Sequence, residues 1–156
     1  MLSYILAIIV GAVFLVMDQI TKNIVVQNMA ENASLPFIPG IIRFWYIHNE
    51  GGAWGFLSGY TWILLSITII VMLVCFALLL KHGMKNPLLF WAITLVLSGG
   101  LGNMIDRIFN NGKVVDFICL EFIDFPVFNI ADCAIVIGAG LLILYFIRDL
   151  IKERKR

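Results

Sequence analysis

Between Tyr60 and Leu80 the chain carries no charged side chain, and apolar residues fill almost every position. That length matches the roughly 20 residues a helix needs to cross the hydrocarbon core of a bilayer. Three other stretches are of the same kind, so spans are expected at about 2–26, 60–80, 88–107 and 129–147. Lipid offers no hydrogen bonds to a bare backbone, so each span must be a helix. The first stretch lacks a basic leader and a small-x-small cleavage site, and is read as a span rather than a removable signal. Composition agrees. Hydrophobic residues make up 62% of the chain and charged residues 13%, about half the charged share of a soluble domain. A soluble globule and a disordered chain are both excluded. The net charge is +1, with no basic stripe outside the C-terminal residues, so no nucleic-acid partner is expected.

Basic residues orient the spans. Lys81 and Lys85 lie between spans two and three, and Arg148, Lys152, Arg154, Lys155 and Arg156 follow span four, against only Asp149 and Glu153. The other side carries an acidic excess. Both termini are therefore expected in the cytoplasm, with segments 27–59 and 108–128 outside. Trp45, Trp54 and Trp62 suit the outer interface and Trp91 the inner one. In the first outer segment, Pro36, Pro39 and Gly40 punctuate the chain. The run from Ile41 to His48 is β-branched and aromatic, which predicts a strand. The expected fold class is an all-α membrane protein, one domain over 1–156: four transmembrane helices with a small extracytoplasmic β-sheet or cradle.

Ionisable groups inside spans are expensive and mark function. Here they gather at the outer ends. Asp18 and Lys22 are spaced i, i+4 on one helix face, as a local ion pair or as a brace for a site. Asn103, Asp106 and Arg107 share another face. Gly99, Gly100 and Gly102 beside them read as tight helix packing. Arg107 either snorkels to phosphates or, with Asn103, meets an anionic or carbonyl partner. Asp116 lies in the apolar run Val114-Val115-Asp116-Phe117-Ile118, as a strand-end residue or a poorly solvated functional carboxylate. Asn129 can cap the fourth helix, with Asp132 at the acidic third position of that cap. Asp132 is thus a capping residue or a second functional carboxylate. Two carboxylates from different segments in one apolar layer share a proton, which is aspartic-protease chemistry. The helix N-terminus favours charge on Asp132 and leaves the proton on Asp116. His48 has no second histidine on its side and is not expected to bind metal. Asn49 is a polar contact to substrate or scaffold, and Gly51, Gly52 and Gly55 suggest a flap that moves. Cys75, Cys119 and Cys133 form no CxxC and read as apolar filler.

These residues fall into five motifs: Asp18-Gln19-Ile20-Thr21-Lys22; Asn49-Glu50-Gly51-Gly52-Ala53-Trp54-Gly55; Gly99 to Arg107; Val114-Val115-Asp116-Phe117; and Phe125 to Asp132. In that order, over nearly the whole chain, they resemble the lipoprotein signal peptidase (signal peptidase II) family of bacterial membrane aspartyl proteases. Trp54, where the family more often has Phe, is the one departure noticed. The resemblance implies a prolipoprotein substrate carrying a diacylglyceryl group on the cysteine that follows the cleaved bond. It implies a bacterial cytoplasmic membrane location with the site near the outer face, membrane lipid as a partner, and no metal or cofactor. Asp116 and Asp132 would be catalytic. Asn103 and Arg107 would hold the substrate backbone, with Asn49, Gly51, Asn129 and Ala131 around them and Asp18, Lys22 and Asp106 bracing the site. Globomycin would bind at the same pair. A small four-span transporter or channel is the alternative, but the inner halves of the spans offer no polar path. A thiol–quinone enzyme would need a reactive outer cysteine pair, and a plain membrane scaffold would not explain the polar layer.

Overall fold

The computed structural model describes residues 1–52 and 59–154. Trp54 and Gly55, and with them part of the expected flap, lie outside the described residues, as do Lys155 and Arg156. Four long helices and a three-stranded sheet make up the fold: α1 (Leu2–Asn28), β1 (Ser34–Ile38), β2 (Ile42–Asn49), α2 (Thr61–His82), α3 (Pro87–Phe109), β3 (Val114–Leu120) and α4 (Ile130–Arg154). All four helices are long and apolar enough to cross a membrane. Their ends run past the hydropathy boundaries. α4 continues to Arg154, because Arg148, Lys152 and Glu153 are good helix formers that extend a helix already nucleated in the apolar part.

Local sequence sets the helix starts. Asn86 caps α3, its side chain accepting from the N–H groups of Leu88 and Leu89, and Pro87 takes the first helical position, where a missing N–H costs nothing. At α4 the cap is reciprocal. The Asn129 Oδ1 accepts from the Asp132 N–H at 2.9 Å, and the Asp132 Oδ2 accepts from the Asn129 N–H at 3.1 Å. This is a capping box with Asp in place of the usual Glu or Gln.

α3 is the central helix. Of its most apolar stretch 61% is buried, against 6% for α2, whose isoleucines and leucines face outward. Small residues let the partners of α3 approach. A Cβ on Gly138 of α4 would stand 2.8 Å from the Ala92 carbonyl oxygen and 2.9 Å from the Val96 nitrogen, both backbone atoms of α3. Backbone in a packed helix pair cannot step aside, so Gly138→Ala is expected to lower stability by about 1–3 kcal/mol. Thermal unfolding in detergent measures it. Gly140→Ala, where nothing described lies within 4 Å, is the control and is expected to leave the transition in place.

The sheet caps one end of the bundle in the order β1-β2-β3, antiparallel throughout. β1 and β2 form a hairpin through Pro39 and Gly40, the glycine at φ +75°. β3 comes from the connection between α3 and α4, so the sheet joins the two long connections of the chain. Val25 of α1, Tyr46 of β2, and Val115 and Phe117 of β3 form a buried apolar cluster that docks the sheet on the end of α1. A bulge in β2 between Phe44 and Ile47 resets the register, leaving Ile47 opposite Asp116 and Asn49 opposite Val114. Asn49 and Asp116 thereby become diagonal neighbours on one face. At the other end of the bundle, Trp91 Nε1 donates to Ser3 Oγ at 3.0 Å and the Tyr4 hydroxyl donates to the Met84 carbonyl at 2.9 Å.

Candidate active site

The polar residues converge where β3 meets the C-terminal parts of α1 and α3 and the N-terminal end of α4. Asp116 sits in mid-strand on β3, 1% exposed. Both of its oxygens accept side-chain amides: Oδ2 from Asn49 Nδ2 at 2.8 Å, and Oδ1 from Asn129 Nδ2 at 2.6 Å. Asn49 is itself fixed by an Asx turn, its Oδ1 accepting from the Gly51 N–H at 2.9 Å. Asn129 Nδ2 also lies 3.0 Å from Asn103 Oδ1 and 3.3 Å from the Val115 carbonyl oxygen. Asn103 Nδ2 in turn donates to Asp132 Oδ1 at 2.8 Å. Asp132 thus has one oxygen in the helix cap and the other on Asn103. The capping reading of this residue is borne out, and the oxygen held by Asn103 belongs to the same carboxylate.

Burial pushes the Asp116 carboxyl up from 3.8 to about 7, and the neighbouring Asp132 charge pushes it the same way. Hydrogen bonds from Asn49 and Asn129, and the Lys22 cation, hold it back. Asp116 therefore carries a proton over much of the range in which ordinary carboxyls are ionised.

Both carboxylates line a cavity of about 510 Å³ with Asn49, Asn103 and Arg107. Its remaining wall is mostly apolar, from Leu120 and Phe125 to Phe128 on one side and Ile135 to Ile137 of α4 on another. Val136 is 68% exposed, so the cavity wall passes into the outward face of α4. Arg107 Nη1 donates weakly to the Asn103 carbonyl at 3.3 Å, while its buried Nε has no hydrogen-bond partner among the described residues.

Behind the cavity, Lys22 is 3% exposed and lies 2.8 Å from Asp18 Oδ2, 3.1 Å from Asp106 Oδ2 and 3.0 Å from Asn103 Oδ1. Asp18 Oδ1 accepts from the Ala131 N–H at 2.8 Å, and Asp106 Oδ2 accepts from the Val115 N–H at 3.0 Å. A Cβ on Gly102 of α3 would stand 2.7 Å from Asp18 Oδ2.

The site residues read from the sequence fall in one connected network, with Gly51 and Ala131 entering through their backbone N–H groups. Gln19 was missed as a site residue. Its Nε2 lies 3.1 Å from Asp18 Oδ2, 3.2 Å from Asp106 Oδ1 and 3.2 Å from the Gly102 carbonyl oxygen. The signal was an amide inside an apolar span, next to Asp18. His48 instead pairs with Glu31 at 3.0 Å and with the Tyr46 hydroxyl at 3.2 Å. Cys133 lines the cavity and is a free thiol, as are Cys75 and Cys119.

Comparison with known proteins gives one answer. The family model described as signal peptidase (SPase) II matches residues 10–148. A lipoprotein signal peptidase of Brevibacillus brevis is 38% identical over 94% of this chain and 97% of its own length. One from Lactococcus lactis subsp. lactis is 40% identical over 96% and 97%. A solved bacterial membrane enzyme superposes with a TM-score of 0.89 at 35% identity, covering 96% of this chain and 92% of that one. With the motifs in order, the fold shared and both comparisons spanning nearly the full length, the chain belongs to the signal peptidase II family.

Proposed function

We propose that this protein is a membrane aspartic endopeptidase that removes the signal peptides of prolipoproteins, cutting before a diacylglyceryl-modified cysteine, with Asp116 and Asp132 as the catalytic pair. One observation carries the assignment of the pair. Two carboxylates from different elements, Asp116 buried and Asp132 half-buried, line one cavity, are tied through Asn103 and Asn129, and differ in what holds their charge. Asp116 keeps the proton near neutral pH, while Asp132 sits at the positive end of α4. The ionised partner then draws a proton from water as it attacks the scissile carbonyl. The protonated partner donates to the carbonyl oxygen. Arg107, whose buried Nε has no partner among the described residues, and Asn103 suit the substrate backbone. The apolar wall that runs onto the outward face of α4 suits the diacylglyceryl chains and membrane lipid. Globomycin is expected in the same cavity.

In this reading the protein lies in the bacterial cytoplasmic membrane with both termini inside and the site at the outer face. The basic residues around Lys81 to Lys85 and Arg148 to Arg154 support that orientation. The test is cleavage in proteoliposomes of a prolipoprotein with and without its diacylglyceryl group. Mass spectrometry should find a new N-terminus at the lipidated cysteine. No product, or equal cutting of the unlipidated form, overturns the reading.

The Asp116 proton sets the pH response. A carboxyl raised to about 7 loses its proton above that pH, and the free enzyme's acid is then spent. Expected is a kcat/KM that falls about tenfold per unit on an alkaline limb beginning near pH 7. A profile flat to pH 9 contradicts the role given to Asp116.

A further inference from the structure

Asn49 reaches the site from the end of a strand. It is the last residue of β2 and the last pair of the β2–β3 ladder, opposite Val114, yet its amide holds one of the two oxygens of Asp116. The residues on either side of it are both tied, each to a different element. His48 Nδ1 lies 3.0 Å from Oε1 of Glu31, in the turn between α1 and β1, and its Nε2 lies 3.2 Å from the Tyr46 hydroxyl. A single neutral tautomer serves both contacts, Nδ1–H donating to the carboxylate and Nε2 accepting from the phenol, so this tie holds with the ring uncharged. On the other side, Glu50 Oε1 lies 2.7 Å from Lys113 Nζ. Lys113 directly precedes Val114, so the ion pair continues the ladder one residue past its last pair. Glu50 is also the middle residue of the Asx turn in which Asn49 Oδ1 accepts the Gly51 N–H, and that turn aims the amide nitrogen at Asp116. Asn49, Gly52 and Val114 line the cavity, but Glu31, His48, Glu50 and Lys113 do not.

Resting on the catalytic reading above, we infer that Glu31 and Lys113, acting through His48 and Glu50, are positioning residues for the reaction: they pin the backbone on both sides of Asn49 and so keep its amide on Asp116. The argument is one of scale. The end of a ladder opens at little cost, and the chain beyond Asn49 runs into Gly51 and Gly52, the latter at φ +70°, which restrain it least. Exposed ties such as these add little to the stability of the whole molecule. They are nevertheless of the same size as the cost of fraying one strand end, so they decide how often Asn49 is in place. A shift of about 1 Å there breaks a 2.8 Å bond to a reacting group.

The test uses Lys113→Met and Glu31→Ala, which change exposed side chains outside the cavity. In cleavage of the diacylglyceryl prolipoprotein, each is expected to lower kcat about threefold and the two together about tenfold, with KM within about twofold. The alkaline limb of the double variant should move up by about half a pH unit, because Asp116 spends less time on the Asn49 donor that holds its carboxyl down. The charges facing Asp116, those of Asp132, Lys22 and Arg107, are unchanged in these variants. Exchanging the pair, Glu50→Lys with Lys113→Glu, should bring kcat back to within about twofold of wild type. In an Asn49→Ala background, Lys113→Met and Glu31→Ala should cost nothing further, since the group they position is gone. A double variant with wild-type kcat and an unmoved limb overturns the inference, and so does the same further loss in the Asn49→Ala background. If Asn49→Ala is too slow to measure, an unmoved limb in the double variant alone overturns it. Wild-type protein that leaves the prolipoprotein uncut instead overturns the catalytic reading, and Asp116→Asn as the inactive reference keeps the two failures apart.

Discussion

Asp116→Asn and Asp132→Asn are each expected to lower the rate of prolipoprotein cleavage by about 10³-fold or more, with the protein still folded and inserted. An amide cannot take a proton from water, and it cannot hand one to a carbonyl oxygen in exchange for a charge. Losing either member of a pair that acts as a unit therefore removes nearly the whole effect, and the double variant should be little worse than either single one. The two variants differ in stability. Asp116 accepts amide hydrogens on both oxygens, so asparagine there turns one contact into a donor facing a donor, at about 1–3 kcal/mol. Against that, the wild-type carboxyl is raised from 3.8 to about 7. A group raised in this direction leaves stability intact below its ordinary value, and stability is lost as pH rises through the folded value. The wild type should lose about 4 kcal/mol over that window from this group, and Asp116→Asn should not. The stability gap between the two should therefore close and then reverse in sign as pH rises from 4 to 7, measured by thermal unfolding in one detergent. Asp132→Asn also disturbs the α4 cap, since the Asn103 amide and the Asn129 N–H both need an acceptor there. It should be the less stable variant at every pH. Near wild-type cleavage by either variant removes that residue from the catalytic role.

How much of this was legible in the sequence follows from which forces are local. A span declares itself through a continuous apolar run, so all four helices were visible. Their polar ends were less so, because helix propagation past Ile147 depends on propensity rather than on hydropathy. The cap of α4 was legible at Asn129 and Asp132, since its bonds close within four residues. β3 was not. Val114 to Leu120 shows a carboxylate in an apolar run, and its pairing with β2 joins residues some 70 positions apart, through a bulge that no short pattern announces. The gathering of carboxylates in one layer was readable from charge scarcity alone. Which oxygen meets which N–H was not, because Asp106 and Asp18 reach backbone groups, and every residue looks alike at the backbone. Gln19 escaped for a related reason. An uncharged amide in a span draws less notice than the Asp18 beside it, although its Nε2 lies against two carboxylates.

The largest stability effect expected outside the catalytic pair is at Lys22. Lys22→Met keeps the length and apolar stem of the side chain and deletes the ammonium. What remains is two carboxylates, 0% and 4% exposed, facing each other with no cation among the described residues in contact with both. Breaking a buried ion pair from one side is destabilising by about 3–5 kcal/mol, because the survivor stays desolvated. Here two anions survive, and Asn103 Oδ1 loses a donor as well. An exposed pair such as Lys113 with Glu50, 2.7 Å apart at the surface, carries none of that penalty, and Lys113→Met should leave the unfolding transition in place. The comparison in one detergent separates desolvated charge from surface charge in the same molecule. The remedy for Lys22→Met follows from the same reasoning. Adding Asp106→Asn removes one stranded anion and leaves an oxygen for the Val115 N–H, so the double variant should be more stable than Lys22→Met alone. That sign is not additive, since Asp106→Asn in the wild-type background leaves Lys22 with one carboxylate fewer and should destabilise. A double variant no more stable than Lys22→Met would mean the buried carboxylates are neutralised by something other than the lysine.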